Sequence, residues 1–308
     1  MEKNSKIYVA GHRGLVGSAI IRKLKELGYK NLIYRTHKEL DLTRQYEVEK
    51  FFETEKPEYV FLAAAKVGGI QANSKAPANF IYENLMIENN VIHESYRNGV
   101  KKLLFLGSNC IYPEITPQPI KEEYLMTGKL EKSNIAYALS KIAGIELCKS
   151  YKKQYGCDFI SAMPVNLYGP NDSFDLETCH VLPAFIRKFA EANKNNSEEI
   201  VIWGTGKARR EFMHVDDLAD ALVFLMNNYS GEEQVNIGTG KDLTISELVA
   251  IFSEVTNFKG NIKYDNTKPD GTMKKLLDVS KLEKLGWKYK IKLEDGIKDT
   301  YKWYLENK

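Results

Sequence analysis

Tyr137 and Lys141 lie four residues apart in a stretch whose pattern predicts a helix over residues 136–155. Positions i and i+4 share one helix face, so the Lys141 ammonium would lie beside the Tyr137 phenol. A positive charge there favours the phenolate, and the phenol can then act as a general acid toward an oxygen that gains negative charge. The pair therefore predicts reduction of a carbonyl group, in which Lys141 would also hold the ribose of a nicotinamide cofactor.

Ser108 strengthens this interpretation because it directly follows a strand predicted over residues 102–107. Its hydroxyl could hydrogen-bond the same substrate oxygen as Tyr137. Tyrosine and lysine at this spacing are common in ordinary helices. The catalytic interpretation therefore depends on Ser108 and on a cofactor site elsewhere in the chain.

A glycine-rich run supplies that cofactor site. Gly11, Gly14 and Gly17 follow a strand predicted over residues 6–10 and open a helix predicted over residues 15–27. Glycine permits a tight turn and a close approach of the backbone to phosphate, whose charge the helix N-terminus favours. The alternative is an ordinary strand–helix turn. The predicted dinucleotide contacts are Gly11, His12, Arg13, Gly14, Leu15, Val16 and Gly17.

The end of the second predicted strand indicates which dinucleotide binds. Sites that prefer NAD place an acid there to hold the adenosine ribose, but residues 34–38 contain none. Arg13 and Arg35 instead suit a 2′-phosphate, because a guanidinium binds phosphate through a planar fork. We therefore predict NADP, with Asp41 and Leu42 at the adenine edge. The alternative is that Arg35 is only a solvated surface charge.

The first half of the chain alternates short apolar runs with helical patterns, which predicts an α/β fold with a Rossmann-type doubly wound parallel sheet. A smaller C-terminal α/β substrate domain follows, and residues 166–179 read as a loop. We expect the cofactor domain to span residues 1–166 plus 212–238, and the substrate domain residues 167–211 plus 239–308. Ligands of such sheets bind beyond the carboxyl ends of the strands. Further cofactor contacts are therefore expected at Ala64, Ala65, Pro164, Asn166 and Leu167.

Composition excludes several classes of function. The net charge is +3 with the basic residues spread along the chain, which gives no nucleic-acid footprint, although it suits an anionic ligand. No apolar run approaches the roughly 18 residues of a membrane span, and the start of the chain does not resemble a signal peptide. The four cysteines show neither paired nor metal-ligand spacing. We expect a cytoplasmic protein without a metal.

Longer motifs resemble the extended short-chain dehydrogenase/reductases and, among them, the GDP-L-fucose synthase family. The resemblance runs nearly end to end. It implies an NADPH-dependent enzyme that epimerises GDP-4-keto-6-deoxymannose at C3 and C5 and then reduces C4. It also implies a homodimer with a helical interface formed by residues 79–98 and 135–155. The motifs are Val9–Gly14, Ala63–Ile70, Cys110–Pro113, Lys141–Gly144, Asn166–Pro170, Arg210–Phe212 and Lys268–Thr272.

The same resemblance implies that Cys110 and His180 are the base and acid of the epimerisation, with His180 also beside the cofactor. From the residues alone each would more commonly be structural. Sugar-nucleotide 4,6-dehydratases of the same superfamily carry an Asp-Glu pair at this point, where this chain has Asn109 and Cys110. Elimination of water is therefore not expected.

Basic and aromatic residues of the C-terminal half are candidates for the nucleotide sugar. Arg210 is the strongest candidate because its motif match is complete, while for the lysines a solvated face is an equally good interpretation. Asn166 would orient the substrate or the sheet edge, and Val181 and Trp203 would line the nucleotide pocket. The predicted substrate contacts are Ser108, Asn109, Cys110, Asn166, Val181, Arg187, Lys188, Trp203, Arg210, Lys268, Asp270 and Lys275.

Departures from the family pattern leave the substrate open. Asn109 replaces a common serine, Ala136 a common proline and Lys188 a common arginine, and the loop at residues 172–178 is unusually acidic. One alternative is a C4 reductase without epimerase activity, which acts on a GDP-4-keto-heptose or a related sugar. A second, non-enzymatic alternative is a regulator that senses dinucleotides. Such regulators typically lack the tyrosine or the lysine, and both are present here.

Overall fold

The computed structural model describes residues 1–308, apart from the side chain of residue 70. Its strands are β1 (Ile7–Ala10), β2 (Leu32–Ile33), β3 (Tyr59–Leu62), β4 (Lys102–Leu106), β5 (Phe159–Pro164), β6 (Asn166–Tyr168), β7 (Glu199–Trp203), β8 (Arg209–His214), β9 (Val235–Ile237), β10 (Asp242–Thr244), β11 (Asn261–Asp265) and β12 (Lys274–Lys275). Its α-helices are α1 (Leu15–Glu26), α2 (Gln45–Glu55), α3 (Ile70–Lys75), α4 (Pro77–Arg97), α5 (Ile135–Tyr155), α6 (Val181–Lys194), α7 (Val215–Asn228), α8 (Ile245–Thr256), α9 (Ser280–Lys284) and α10 (Leu293–Asn307).

A six-stranded parallel sheet of order β2-β1-β3-β4-β5-β9 forms the centre of the molecule. Helices α2, α4 and α5 pack together on one face, and α1 packs against α7 on the other. Every residue of β1 and β5 is buried, as expected for strands covered on both faces. The predicted doubly wound α/β fold is confirmed.

Close packing of α5 on the sheet fixes the helix that carries Tyr137 and Lys141. A Cβ atom at Gly144 would lie 2.4 Å from Cζ of Phe105, whose ring is fully buried in β4. A larger side chain at Gly144 would therefore push α5 away from β4. This contact sets the distance between the helix and the carboxyl end of β4, where Ser108 follows.

The second half of the chain builds smaller sheets around a second hydrophobic cluster. Strand β8 pairs with β6, β10 and β12, while β7 pairs with β11. Aromatic side chains of α6 and α8 dominate this cluster, with Phe189 and Phe252 stacked at 5.3 Å between ring centroids. The sheet and the aromatic cluster together support the α/β substrate region beyond the main sheet.

The domain division stays a proposal. The two hydrophobic clusters broadly follow the proposed boundaries, since β9 completes the main sheet and α8 lies in the second cluster. However, Leu277, Leu282 and Trp287 pack on the first cluster although they lie within the range proposed for the substrate domain. The chain crosses between the two parts more often than the division allows.

Several elements differ from the sequence-based expectation. The stretch predicted as a loop over residues 166–179 begins with β6, which pairs in parallel with β8. Strands β7, β8 and β10–β12 were not predicted, because they lie beyond the regular alternation of strands and helices on which the prediction rested. Helix α10 was also missed, since its apolar face is narrow.

An imidazole caps the start of α7. His214 is the N-cap residue, and its Nδ1 accepts from the backbone N–H of Asp216 at 3.2 Å. The Asp217 carboxylate accepts from the backbone N–H groups of Lys290 and Ile291. The imidazole therefore takes the role that usually falls to a short polar side chain.

Within the described part of the chain, no helix is both long and apolar enough to cross a membrane.

Candidate active site

The glycine run forms the cradle that a dinucleotide requires. Gly11 has φ of +83°, and a Cβ there would lie 2.8 Å from the backbone of Ala64. A Cβ at Gly17 would lie 2.1 Å from the Gly11 carbonyl oxygen, whereas one at Gly14 would meet nothing nearer than 3.5 Å. Gly14 therefore leaves open space at the N-terminus of α1, where backbone N–H groups and the helix dipole favour a diphosphate. Leu15 and Val16 complete the first turn.

Buried amides hold the loop after β3, which carries Ala64 and Ala65, against α3 and α4. Asn84 is fully buried; its Oδ1 accepts from Lys66 N at 2.8 Å, and its Nδ2 donates to Lys66 O and Phe80 O. Asn73 donates to Gly68 O at 2.8 Å. These bonds fix the floor of the cofactor cleft. The sequence signal for this loop was the Ala63–Ile70 motif. The side chain of Ile70 lies outside the described residues.

Helix α5, which carries Tyr137, packs against the turn after β4, which carries Ser108 and Cys110. Tyr137 lies in the first turn of α5, and burial raises the pKa of its phenol, as does the nearby Cys110 thiol; the Ser108 hydroxyl opposes the rise. The Ser108 Oγ also accepts from Cys110 N at 3.3 Å, in the short 3-10 turn at Asn109–Ile111. Asn109 is buried beside it. A high pKa keeps Tyr137 protonated, which suits a general acid.

Lys141 lies one turn further along α5 and is 2% exposed. Its Nζ donates to Leu106 O at 3.1 Å and is 5.9 Å from the centre of the Tyr137 ring. It also forms an ion pair with Glu88 of α4, with 3.0 Å between Nζ and Oε1. The sequence analysis did not identify Glu88. An acid in the buried stripe of α4, four residues after Asn84, is the signal that would have found it.

His180 is the N-cap residue of α6, and its side chain makes no capping bond. The side chain is exposed to the open cleft, but the surrounding protein desolvates it and lowers its pKa. Neutral imidazole therefore predominates at neutral pH, and it can either take or give a proton. Gly69 N donates to Thr178 O at 2.8 Å, so the loop before His180 is fastened to the loop after β3.

Arg13 and Arg35 were both expected at the 2′-phosphate, and this shared role stays a prediction. The Arg35 guanidinium donates to Glu55 at 2.5 Å, and the same carboxylate binds Lys6, which precedes β1. Arg13 remains exposed in the glycine loop, next to His12, whose ring stacks on Tyr34 at 4.6 Å.

Other predicted cofactor residues lie at the carboxyl edge of the sheet. Asp41 accepts from the backbone and hydroxyl of Thr43, and these bonds lower the pKa of its carboxyl against the effect of burial. Leu42 is pinned to α4 by Asn90, which donates to its carbonyl. Pro164 ends β5 and Leu167 lies in β6. Asn166 of β6 donates to the backbone oxygen of Glu211 in β8 at 2.9 Å, so its side chain links these two strands.

A basic and aromatic surface faces the cleft from the second half of the chain. Trp203 is 49% exposed, and the ammonium groups of Lys188 and Lys268 each lie 5.6 Å from its ring centre. Lys188 also donates to Val201 O, and desolvation lowers its pKa. An aromatic ring with flanking cations suits a nucleobase and its phosphates.

Arg210 and Lys275 are opposite each other on the paired strands β8 and β12. Arg210 Nη2 donates to Asp270 O at 3.2 Å, and the Asp270 carboxylate binds Thr205 next to Trp203. Asp270 therefore links Arg210 to the loop that follows Trp203. Arg187 is less available, since its Nε donates to Glu191 at 2.7 Å. Val181 lies in the first turn of α6 beside His180.

No cluster of three or more His, Cys, Asp or Glu side chains that could hold a metal occurs among the described residues.

Fold and site together define a class: a nucleotide-sugar-modifying oxidoreductase with a Rossmann-type cofactor domain. Residues 7–238 match the NAD dependent epimerase/dehydratase family, and the chain belongs to that family.

Individual relatives narrow the class. The chain is 61% identical over 306 residues to GDP-L-fucose synthase 1 of Arabidopsis thaliana, covering 99% of this chain and 95% of the relative. It is 50% identical to GDP-L-fucose synthase of Escherichia coli (strain K12), with 98% and 97% covered. A solved structure of a GDP-mannoheptose C4 reductase from Campylobacter jejuni with NADP bound is 46% identical, with a TM-score of 0.91 and 99% of each chain covered. The predicted family resemblance is confirmed, and the alternative of a non-enzymatic regulator is rejected.

Two glycine variants separate cofactor binding from folding. Gly14→Ala keeps the fold, because its Cβ enters open space, but it blocks the approach of the diphosphate. We expect NADPH affinity to fall at least about tenfold, roughly 1.4 kcal/mol, with the melting temperature of the cofactor-free protein nearly unchanged.

Gly17→Ala is the matched control, because its Cβ would collide with the Gly11 carbonyl and lower the melting temperature itself. Fluorescence titration with NADPH and thermal unfolding measure the two effects. Unchanged NADPH affinity in Gly14→Ala would contradict the assigned cradle.

Proposed function

We propose that the chain is an NADPH-dependent epimerase-reductase that converts GDP-4-keto-6-deoxymannose to GDP-L-fucose. The observation that carries the proposal is the packing of α5, which carries Tyr137, against the turn at the carboxyl end of β4 that carries Cys110. A thiol there can exchange protons on carbon in the same pocket where the phenol protonates an oxygen. The identity to GDP-L-fucose synthases supports the same conclusion.

The residues of the cleft fit NADPH. Gly11, Gly14 and Gly17 leave the space at the start of α1 for the diphosphate, and Lys141 lies where it can bind the nicotinamide ribose. When bound, NADPH supplies the hydride that reduces C4. Arg13 is the available guanidinium for the 2′-phosphate, since Arg35 is held by Glu55.

Proton transfers follow from the three side chains above the sheet. The 4-keto group acidifies the protons on C3 and C5, so one group removes each proton and another returns one on the opposite face. Cys110 and His180 perform these two roles. Tyr137 then gives its proton to the C4 oxygen, while Ser108 donates a hydrogen bond to that oxygen.

The C-terminal surface supplies the specificity for a GDP-sugar. Trp203 offers an aromatic face to the base, and Lys188 and Lys268 place positive charge beside it. Arg210 and Lys275 lie together on adjacent strands, where they suit the diphosphate. This arrangement suits the base and the diphosphate of a GDP-sugar.

A second candidate is a reductase that acts only at C4 of a GDP-4-keto-heptose. The similarity to the GDP-mannoheptose C4 reductase favours it. The acidic loop at residues 172–178 and Lys188 lie close to the expected sugar site and differ from the usual family sequence. Both candidates use Tyr137, Lys141 and Ser108 identically, so they differ only in whether Cys110 and His180 exchange protons.

The assembly and the compartment also belong to this proposal. Exposed apolar side chains on and beside α4 and α5, among them Tyr82, Ile135, Leu139 and Tyr155, suit a homodimer interface. A cytoplasmic location agrees with the requirement for a free thiol at Cys110, which a reducing compartment preserves. The substrate is a small molecule, and we propose neither a nucleic-acid nor a membrane partner.

Solvent deuterium distinguishes the two candidate functions. In D2O without NADPH, the enzyme is expected to exchange the C3 and C5 protons of GDP-4-keto-6-deoxymannose, followed by NMR. Cys110→Ser should slow the exchange by about 10²-fold or more, because the general base is lost. Cys157→Ser, a half-buried thiol after α5, serves as the control. Absence of exchange in the wild type would overturn the epimerase step and favour the C4 reductase.

Cofactor preference tests the assignment of the 2′-phosphate. In Arg13→Ala the ratio of kcat/KM for NADPH to that for NADH should fall at least about tenfold, since one charge-assisted contact is lost. Arg35→Ala should change the ratio by no more than about twofold, because Arg35 binds Glu55 instead. An equal fall in both variants would show that Arg35 leaves Glu55 for the phosphate. Steady-state kinetics with both cofactors measure it.

A further inference from the structure

Glu88 is the one buried acid in contact with the reductase residues, among the side chains that the structure describes. It lies on α4, and its side chain is 1% exposed. Its Oε1 is 3.0 Å from the Lys141 Nζ. Within the same described set, neither carboxylate oxygen accepts a hydrogen bond of ordinary geometry. Burial raises the pKa of the Glu88 carboxyl, and Lys141 is the group that opposes this rise.

Such an arrangement is costly for stability. Removing two charges from water costs several kcal/mol per ion, and attraction offsets this only when further hydrogen bonds satisfy the carboxylate. Glu94, on the same helix and equally buried, shows the ordinary solution, since it binds both Arg97 and Asn98. The isolation of Glu88 points to a role in the site rather than in holding α4.

We propose that Glu88 is a positioning residue of the reductase: its carboxylate holds the Lys141 ammonium in place and sets the net charge of the Tyr137–Lys141 pair. The inference rests on the proposed function, because it assigns Glu88 to the same carbonyl reduction. The Lys141 ammonium contacts the Glu88 carboxylate on one side and the Leu106 carbonyl oxygen on the other. These two contacts hold the ammonium in an orientation toward the ribose and Tyr137.

The titratable groups around the pair come from three elements. Glu88 faces it from α4 and Cys110 from the turn after β4. Cys148 lies two helix turns beyond Lys141 on α5, and the charge of Glu88 also raises the pKa of its thiol, after the larger effect of burial. The negative charge of Glu88 raises the pKa of Tyr137, in the same direction as burial. Glu88 thus helps to keep the phenol protonated, which is the form that reduction requires.

The sign of the pH effect follows from charge. Reduction needs the proton on Tyr137, and loss of that proton ends activity at high pH. Without the negative charge of Glu88, that proton leaves more readily. The alkaline limb of the rate profile therefore moves to lower pH.

Glu88→Gln tests this proposal, because glutamine has nearly the same size and shape as glutamate but carries no charge. In a profile of kcat against pH for NADPH-dependent reduction, its alkaline limb should lie at least about one pH unit below that of the wild type. KM for the GDP-sugar should be nearly unchanged, because Glu88 is buried behind Lys141. Glu94→Gln removes another buried carboxylate from α4 and should retain the wild-type limb. Coincident limbs for Glu88→Gln and wild type, or equal shifts in the two variants, would overturn the proposal.

A measurement without substrate separates this inference from the proposed function. Denaturant midpoints are compared for Glu88→Gln, Lys141→Met and the double variant. Each single variant leaves the other buried group of the pair without its partner. The double variant should therefore lower the denaturant midpoint by less than the sum of the two single effects. A fold that fails only in Glu88→Gln and recovers in the double variant supports the same coupling. Additive losses overturn the inference, whereas absence of reduction by the wild type overturns only the proposed function.

Discussion

Burial of a charged lysine between two helices and the end of a central strand is the constraint on which the site depends. Lys141 can occupy that place because α5 lies close to β4, where Gly144 leaves room for the ring of Phe105. The Leu106 carbonyl and the Glu88 carboxylate then replace the water that the ammonium has lost. Because the lysine is fixed, Tyr137 one turn earlier on α5 is fixed as well, and α5 packs against the turn that carries Cys110.

The second half of the molecule completes this site through a few backbone contacts. The loop before His180 accepts a hydrogen bond from Gly69, which lies in the loop after β3. Asn84 in turn holds the loop after β3 against α4. Through these two loops His180 is held by α4, which also carries the Glu88 that binds Lys141. The nucleotide surface around Trp203 and Arg210 is built on β7 and β8, which belong to the other hydrophobic cluster. The residues proposed for reduction therefore lie against the main sheet, and those proposed for nucleotide binding lie on the smaller sheets.

Local pattern was enough to predict the main sheet, the glycine turn before α1 and the approach of α5 to the turn after β4, because period, turn residues and i, i+4 spacing act over short distances. It does not reveal contacts with distant partners. Arg35 was assigned to phosphate, and its ion pair with Glu55, twenty residues away along the chain, could not be read from local pattern. Glu88 passed unnoticed because its role comes from Lys141 on another helix. The strands of the second half were missed for a similar reason, since β8 is stabilised by three different neighbours rather than by its own alternation.

Replacement of the phenol by phenylalanine at position 137 tests the central claim most directly. With Tyr151→Phe as a control on the same helix, Tyr137→Phe should lower kcat for NADPH-dependent reduction by about 10²- to 10⁴-fold. NADPH affinity and the deuterium exchange at C3 and C5 should persist, since Lys141, Cys110 and His180 remain. Reduction at the wild-type rate in Tyr137→Phe would show that another group protonates the C4 oxygen and would contradict this account.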